Sequence, residues 1–272
     1  MTVQSIDKLA FAREWAEWHR QHVATLAAPH GFLAITGLHW LSGTPERFPD
    51  APGDWSTGPA GVAVTLGDGE ELVTDGRIIQ GPAEHSFGVI PERASVTAAA
   101  GDVVVEVARR GGHDIIRPRH PGHPLRAAFR GVPAYAPNPD WVITGRYVPF
   151  EEPREVSVGS VVEGLQHVYM APGRVEFAAR GRHLALTAFN GPAAGSLFLL
   201  FTDATSGVTT YAASRALHVA APGLDGTVTL DFNRASNLPC AYTQFATCPL
   251  PPAENQLPIA VEAGEQRPYG KD

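Results

Sequence analysis

Cysteine is scarce in this sequence, with only Cys240 and Cys248 among 272 residues. Two cysteines are too few for the disulfide framework of a small secreted domain or for a structural zinc site built from cysteines. The N-terminus also lacks the basic start and apolar stretch of a secretory signal. We therefore expect a cytoplasmic protein.

Long apolar runs and an excess of positive charge are lacking as well. No apolar stretch reaches the roughly 18 residues that a membrane-spanning helix needs, so we expect no membrane partner. The 21 Lys and Arg residues are scattered and are outnumbered by 28 Asp and Glu, for a net charge of -7. Because binding to phosphate backbones requires a concentrated basic surface, we expect no nucleic-acid partner.

Common catalytic signatures are also missing. The sequence has no Gly-x-Ser-x-Gly elbow, no Gly-rich phosphate loop, no dinucleotide fingerprint and no His-Glu-x-x-His motif. His19 and His22 are three residues apart, and His113, His120 and His123 share one proline-rich segment. Since neither group has suitable carboxylates nearby, we predict no metal site, and no cofactor is assigned.

The first predicted secondary-structure element is a helix within residues 1–30. Aromatic rings recur on one face at helical spacing, at Phe11, Trp15, Trp18 and His22. Ser5 is the predicted N-cap, and Pro29 is the predicted stop because proline disfavours helical geometry in the residue before it. A tryptophan stripe of this kind predicts a face that packs on the body of the protein.

Residues 31–150 form the first half of a predicted antiparallel meander. Asp75-Gly76 lies between two β-prone runs, which predicts a hairpin with a type I′ turn. Residues 103–107 predict a further strand that ends at Gly111-Gly112. The five prolines of residues 119–139 indicate a surface loop.

Residues 151–272 are predicted to hold β hairpins and a C-terminal strap. The apolar run at 197–202 predicts a strand buried on both faces, followed by a turn at 203–207 with a left-handed Gly207 and a return strand at 208–211. Residues 227–232 predict another strand, and regular structure is expected to stop there.

The predicted fold is mainly β. We expect an antiparallel barrel or sandwich with an N-terminal helix and a long irregular C-terminal strap. The proline-flanked segment 149–154 is the predicted boundary between two parts, and a single continuous domain is the alternative.

Several segments resemble a known family. They are DFNRASNLPCAY at 231–242, ATCPLPP at 246–252, ENQLP at 254–258, DATSG at 203–207 with Thr210, Tyr211 and Arg215, and GFL and GLHWL at 31–33 and 37–41. Together they are similar to the bacterial and archaeal family called domain of unknown function 1684, over nearly the whole chain. Ser236 and Leu238 depart from the Tyr and Pro that we expect of the family. The resemblance implies a fold and the location of a site, but no reaction.

Polar residues cluster around the C-terminal motif. The candidate ligand-binding residues are Arg215, Asp231, Asn233, Arg234 and Asn237. A guanidinium presents a fixed fork of donors that suits a carboxylate or phosphate, and Asp and Asn side chains can accept from ligand hydroxyls. The alternative is structural: an Arg–Asp pair and Asn side chains that satisfy the backbone where strand gives way to strap.

Cys240 and Cys248 form a candidate redox pair. Packed thiols, a reversible disulfide and a catalytic thiol are the three alternatives, and the last would need a nearby histidine. We expect a protein that binds a small polar or anionic molecule near the C-terminal motif. The alternatives are a hydrolase that uses Cys240, Asn237 and an upstream histidine, and an assembly module whose strap docks on a second subunit to form a homodimer.

Overall fold

The computed structural model describes residues 7–269. It begins with a helix, α1 (Lys8–Leu26). The Asp7 carboxylate accepts a hydrogen bond from the Leu9 backbone N–H at 2.9 Å and therefore caps the first turn. Ser5, the predicted cap, lies outside the described residues. The helix ends before Pro29, as predicted.

Two compact units make up the chain. The N-terminal unit comprises Ala24–Phe129 and Thr243–Thr247. Of the described residues, the C-terminal unit comprises 7–23, Arg130–Tyr242 and 248–269. The predicted boundary at 149–154 falls inside a strand of the C-terminal unit, where the pairing register shifts between Pro149 and Arg154.

The N-terminal unit consists of ten strands and a short helix. These are β1 (His39–Trp40), β2 (Glu46–Phe48), β3 (Ala51–Gly58), β4 (Gly61–Leu66), β5 (Glu71–Thr74), β6 (Arg77–Gln80), β7 (Ala83–Gly88), β8 (Ser95–Ala100), β9 (Val103–Arg110), β10 (His113–Arg119) and α2 (Pro124–Ala128). One sheet has the order β1-β10-β9-β8-β5-β6 and the other β2-β3-β4-β7, and every pairing is antiparallel. Trp55, Leu72 and Val107 are at the centre of its core.

The predicted hairpin at residues 71–79 is confirmed. β5 pairs with β6, and the turn residues Asp75 and Gly76 have φ angles of 49° and 71°. Two consecutive positive φ values are the geometry of a type I′ turn, which fits the right-handed twist of the flanking strands. The predicted strand at 103–107 is likewise part of β9.

The C-terminal unit contains seven further strands in one sheet. These are β11 (Val142–Gly159), β12 (Gln166–Ala179), β13 (Arg182–Asn190), β14 (Leu197–Phe201), β15 (Arg215–Val219), β16 (Thr227–Asp231) and β17 (Ser236–Asn237). Their order is β16-β11-β12-β13-β14-β15-β17. The buried face carries Phe177, Leu199, Leu217 and Phe232, among others.

The predicted return strand at 208–211 is wrong. β14 pairs instead with β15, which places Leu199 opposite Leu217. The intervening chain coils because the Asp203 carboxylate accepts from the Thr205 N–H at 2.8 Å, and the Thr205 carbonyl accepts from the N–H groups of residues 208–210. Gly207 has a φ of 78°, as predicted for the left-handed turn position.

The strap, residues 249–269, alternates between buried and exposed positions like a strand. Leu257, Ile259, Val261 and Ala263 enter the core, while the residues between them are exposed. Its backbone bonds along residues 202–204: the Leu257 N–H donates to the Thr202 carbonyl at 2.8 Å. The strap therefore adds an irregular extra strand to the core.

The predicted mainly β fold is confirmed, with three antiparallel sheets, an N-terminal helix and the strap. Among the described strands, no sheet closes on itself, so the barrel alternative does not apply. None of the helices in residues 7–269 is long and apolar enough to cross a membrane.

Candidate functional site

Arg215, the first of the predicted site residues, is completely buried, with 0% of its surface exposed. One terminal nitrogen, Nη2, donates to Asp203 Oδ2 at 2.7 Å and to the Val261 carbonyl at 3.0 Å. The other, Nη1, donates to the carbonyls of Ala263 and Glu265. We call this arrangement the Arg215 network.

The Arg215 network fixes the strap. Both terminal nitrogens of Arg215 donate to protein acceptors, three of which are carbonyls of the strap, so the fork that could hold a ligand anion is occupied. Only Nε is buried without a hydrogen-bond partner among residues 7–269. The guanidinium also lies over the Phe201 ring, 5.3 Å from its centroid. A buried cation that is paired and hydrogen-bonded in this way has an architectural role.

Asp231, Asn233 and Arg234 form a second local group at the end of β16. Asp231 Oδ1 accepts from the Asn233 N–H and side-chain amide, and Asp231 Oδ2 lies 3.1 Å from Arg234 Nε. The Asn138 backbone N–H donates to Asn233 Oδ1, and the Asn233 side-chain amide donates to the Asn138 carbonyl. The Trp15 indole N–H donates to the Asn233 carbonyl at 2.7 Å, which ties α1 to this turn.

Asn237 belongs to a third group, centred on Glu265. Glu265 is 1% exposed, and its Oε2 accepts from the Asn237 N–H at 2.7 Å and from the Tyr242 hydroxyl at 3.2 Å. The Asn237 side-chain amide donates to the Gln266 carbonyl, whereas its Oδ1 is buried with no hydrogen-bond partner among residues 7–269.

Helix α1 completes this group with two histidines. His22 Nε2 lies 3.0 Å from Glu265 Oε1, without the alignment of a hydrogen bond, and the His22 side chain is 25% exposed. The imidazole stacks on the Trp18 ring at 5.4 Å, and His19 stacks on Trp15 at 4.8 Å. Glu265, His22, His19, Tyr242 and Asn237 are called the Glu265 cluster below.

Burial sets the protonation of two members of this cluster. It lowers the pKa of His19, an effect that Glu265 partly offsets and His22 reinforces. Burial, together with the negative charge of Glu265, raises the pKa of the Tyr242 hydroxyl. Tyr242 therefore stays protonated and available as a donor at neutral pH.

Metal binding is not indicated by the geometry. In the described part of the chain, no three His, Cys, Asp or Glu side chains are grouped so that they could hold a metal ion.

The sequence matches the family described as "Protein of unknown function (DUF1684)" over residues 127–266, just over half of the chain. The chain belongs to this family. A solution NMR structure of an uncharacterized protein from Haloarcula marismortui is 30% identical; the match covers 54% of this chain and 81% of that one, with a TM-score of 0.45. No curated protein matches the sequence.

In this DUF1684 protein, Glu265 and all of the predicted ligand-binding residues lie within the matched region, whereas His19 and His22 of α1 lie outside it. The predicted residues do not converge on one point: Arg215 is enclosed by the strap, Asp231, Asn233 and Arg234 hold the turn after β16, and Asn237 reaches Glu265. Their assignment as ligand-binding residues stays a prediction.

Sequence reasoning left Glu265 out of the predicted site, because a carboxylate in a tail is usually solvated. A signal was present: Leu257, Ile259, Val261 and Ala263 alternate along the strap, and Glu265 is the next position in that series. A carboxylate at a buried position of an alternating segment must find partners, which would have singled it out. His22 was interpreted as packing only, because it shares the aromatic stripe.

The two cysteines of the DUF1684 motif lie next to each other without a disulfide. The Cys240 N–H donates to Cys248 Sγ at 3.3 Å. A hydrogen bond from Cys248, and a weaker one from Tyr211, lower the pKa of the Cys240 thiol against the opposing effect of burial. No histidine contributes to this shift, so the geometry does not favour the catalytic thiol.

Proposed function

We propose that the C-terminal unit binds a small polar molecule at the Glu265 cluster, beside the C-terminal motif. The observation that supports this most is a concentration of buried polar atoms that the protein leaves without hydrogen bonds. Four buried atoms of the cluster have no hydrogen-bond partner among residues 7–269: His19 Nε2, His22 Nε2, Asn237 Oδ1 and Glu265 Oε1.

Unpaired buried polar atoms are rare because each costs roughly 1–3 kcal/mol. Two of the four, His22 Nε2 and Glu265 Oε1, lie 3.0 Å apart and interact electrostatically, which leaves His19 Nε2 and Asn237 Oδ1 as the atoms that a ligand would satisfy outright. Asn237 Oδ1 and Glu265 Oε1 are acceptors, while a neutral imidazole can donate or accept at Nε2. The bound molecule should thus carry at least one hydroxyl, amine or amide N–H group together with an acceptor.

The His22 side chain is 25% exposed although its Nε2 is buried, so a ligand would enter the cluster beside this ring. The Trp15 and Trp18 rings beside the histidines would supply apolar contact area for the carbon skeleton of the ligand. Glu265 disfavours an anion here, so the ligand is expected to be neutral or cationic at this site.

Thermal unfolding in the presence of probe compounds tests the proposal. Glycerol, acetamide and ethanolamine carry the required donors, and acetate serves as the anionic comparison. A compound that binds should raise the melting temperature of the wild type. The increase should disappear in Glu265→Gln and His22→Gln and persist in Arg174→Gln, which removes a charge from an exposed ion pair outside the cluster. Equal responses in all variants would contradict the proposal.

The contact between His22 and Glu265 supports a second candidate, a hydrolase-type enzyme with acid–base chemistry. A buried carboxylate can orient an imidazole and stabilise its protonated form, which is the arrangement of a general base. We infer His22 as the base in this case, rather than a Cys240 thiol. Hydrolysis of p-nitrophenyl acetate that is lost in His22→Gln and kept in Cys240→Ser would support this version. Equal hydrolysis by wild type and His22→Gln would exclude it for this substrate.

A further inference from the structure

The exposed face of β11, β12 and β13 carries a groove of about 630 Å³. Two cross-strand rows line it: Arg146 pairs with Glu176 and Glu176 with Ala185, while Ala178 pairs with His183. Alternate residues of a strand point to the same side of a sheet, so both rows face outward. The short side chains of Ala178 and Ala185 leave space between the longer ones.

Of the two charged side chains that line the groove, Glu176 has an ion-pair partner at short distance and Arg146 does not. Glu176 is occupied by Arg174, whose Nη2 and Nε lie 2.7 Å and 2.8 Å from Glu176 Oε1. Arg146 is the direct cross-strand neighbour of Glu176, yet its guanidinium makes no hydrogen bond or ion pair within residues 7–269. The Arg146 fork therefore keeps its hydrogen-bond donors unused, although its charge also acts on Asp225, whose pKa it helps to lower.

Two further polar side chains converge on the same space. His183 and Thr144 line the groove beside Arg146, and each can donate a hydrogen bond from its ring or hydroxyl. This set of groups resembles the usual composition of a small-molecule site, in which a few polar groups fix the ligand above small apolar side chains. The volume also falls within the roughly 300–1,000 Å³ typical of such sites.

We propose that this groove binds a small molecule through an oxyanion group, a carboxylate or a phosphate, held by Arg146. The planar guanidinium can donate two parallel hydrogen bonds to such a group. Thr144 and His183 then bind its remaining oxygens or a neighbouring polar group. This site is separate from the Glu265 cluster and takes ligands of the opposite charge.

Titration of isotopically labelled full-length protein, followed by backbone amide NMR, tests the proposal. Succinate and inorganic phosphate are the two probes, and ethanolamine is the cationic comparison. At least one anion should shift the signals of Thr144, Ala178 and Ala185 to saturation, and ethanolamine should not. Response to succinate alone identifies a carboxylate site, and response to phosphate alone a phosphate site.

Variants separate a built site from general surface charge. Arg146→Gln should weaken binding by about tenfold or more, because a charge-assisted contact is lost. Ala185→Leu, which fills the groove from its exposed side, should do the same while the charge is kept. Arg154→Gln removes a positive charge from the same strand outside the groove, and it should retain wild-type affinity.

Saturable binding that responds to Arg146→Gln and Ala185→Leu but not to Arg154→Gln supports the site. The proposal is overturned if neither anion gives saturable shifts at these residues. It is equally overturned if Arg146→Gln and Arg154→Gln weaken binding to the same extent, since the interaction would then follow net charge alone.

Discussion

The Arg215 network and the Glu265 cluster are adjacent, and they differ in how many of their buried polar atoms have hydrogen-bond partners. They meet at Glu265, whose carbonyl accepts from Arg215 and whose carboxylate anchors the cluster. In the network, four guanidinium N–H bonds have acceptors. In the cluster, four buried polar atoms lack hydrogen bonds.

We infer from this difference that the Arg215 network is architectural and that the Glu265 cluster is the candidate binding site. The Arg215 guanidinium lacks a partner only at Nε, and its ion pair and hydrogen bonds position the chain around it. Unpaired buried groups cost stability, and such groups often persist where they serve binding or catalysis. Arg215 fixes the strap, and the strap in turn delivers Glu265 to the histidines of α1. The predictions below test this division.

The largest expected effect comes from Arg215→Ala. It removes the hydrogen bonds to the strap and leaves the Asp203 carboxylate buried without its cation, which costs on the order of 3–5 kcal/mol. Urea denaturation should show this loss or an unfolded chain. Arg234→Ala, at a solvated ion pair, should change stability by less than about 1 kcal/mol. If the two variants lost similar amounts of stability, the Arg215 network would contribute no more to folding than a solvated ion pair.

A disulfide between Cys240 and Cys248 should have the next largest effect. Cys240 precedes Tyr242 in the sequence and Cys248 follows it. Oxidation would therefore restrain the segment that carries Tyr242 of the cluster and leave the Arg215 hydrogen bonds unchanged. Closing so short a loop is expected to add about 2–3 kcal/mol of stability. Treatment with oxidised glutathione should lower the intact mass by two hydrogens and raise the denaturation midpoint. Cys240→Ser should show neither change; an unaltered wild-type mass would rule out the redox pair.

Much of the architecture could be predicted because it depends on local signals. Asp75-Gly76 requires positive φ at two positions, and the aromatic stripe of α1 has helical spacing. The return strand at 208–211 failed because Asp203 and Thr205 hydrogen-bond to the backbone nearby and turn the chain into a coil. Such side-chain competition with strand pairing depends on geometry that β propensity alone does not contain.

The candidate site was harder to predict, since its members come from both ends of the chain. His22 lies in the first helix and Glu265 near the C-terminus, and no local pattern links them. Arg215 was recognised as special, but a sequence cannot show whether a guanidinium faces a ligand or three carbonyls. That outcome depends on the path of the strap.

Glu265→Gln tests whether Glu265 serves ligand binding or the stability of the fold. Glutamine keeps an acceptor for the Asn237 N–H and Tyr242 hydroxyl while it removes a buried charge. Stability should therefore stay within about 1 kcal/mol of the wild type or rise, as is common when functional residues are replaced. Ligand-dependent stabilisation should be lost in the same variant. A loss of stability comparable to that of Arg215→Ala would make Glu265 architectural instead.

The smallest expected effect concerns pH. Burial lowers the pKa of His19 in the folded protein below its unfolded value of about 6.5, so the unfolded chain takes up the proton first. Stability should be independent of this group above about pH 7 and should fall as the pH drops from there through the folded-state pKa. His19→Gln should make the decline of the melting temperature over this range less steep. Some decline should remain, because burial also lowers the pKa values of His39 and His218.

His113→Gln, which removes an exposed histidine, is the matched control and should retain the wild-type slope. An unchanged slope in His19→Gln would mean that this imidazole is as accessible to protons as in the unfolded chain. The Glu265 cluster would then be open to solvent around His19, and the contrast with the enclosed Arg215 network would depend on Asn237 and Glu265 alone. A reduced slope would instead place His19 inside the same low-dielectric environment as the buried carboxylate, which is the environment that gives an unpaired hydrogen-bonding atom its affinity for a ligand.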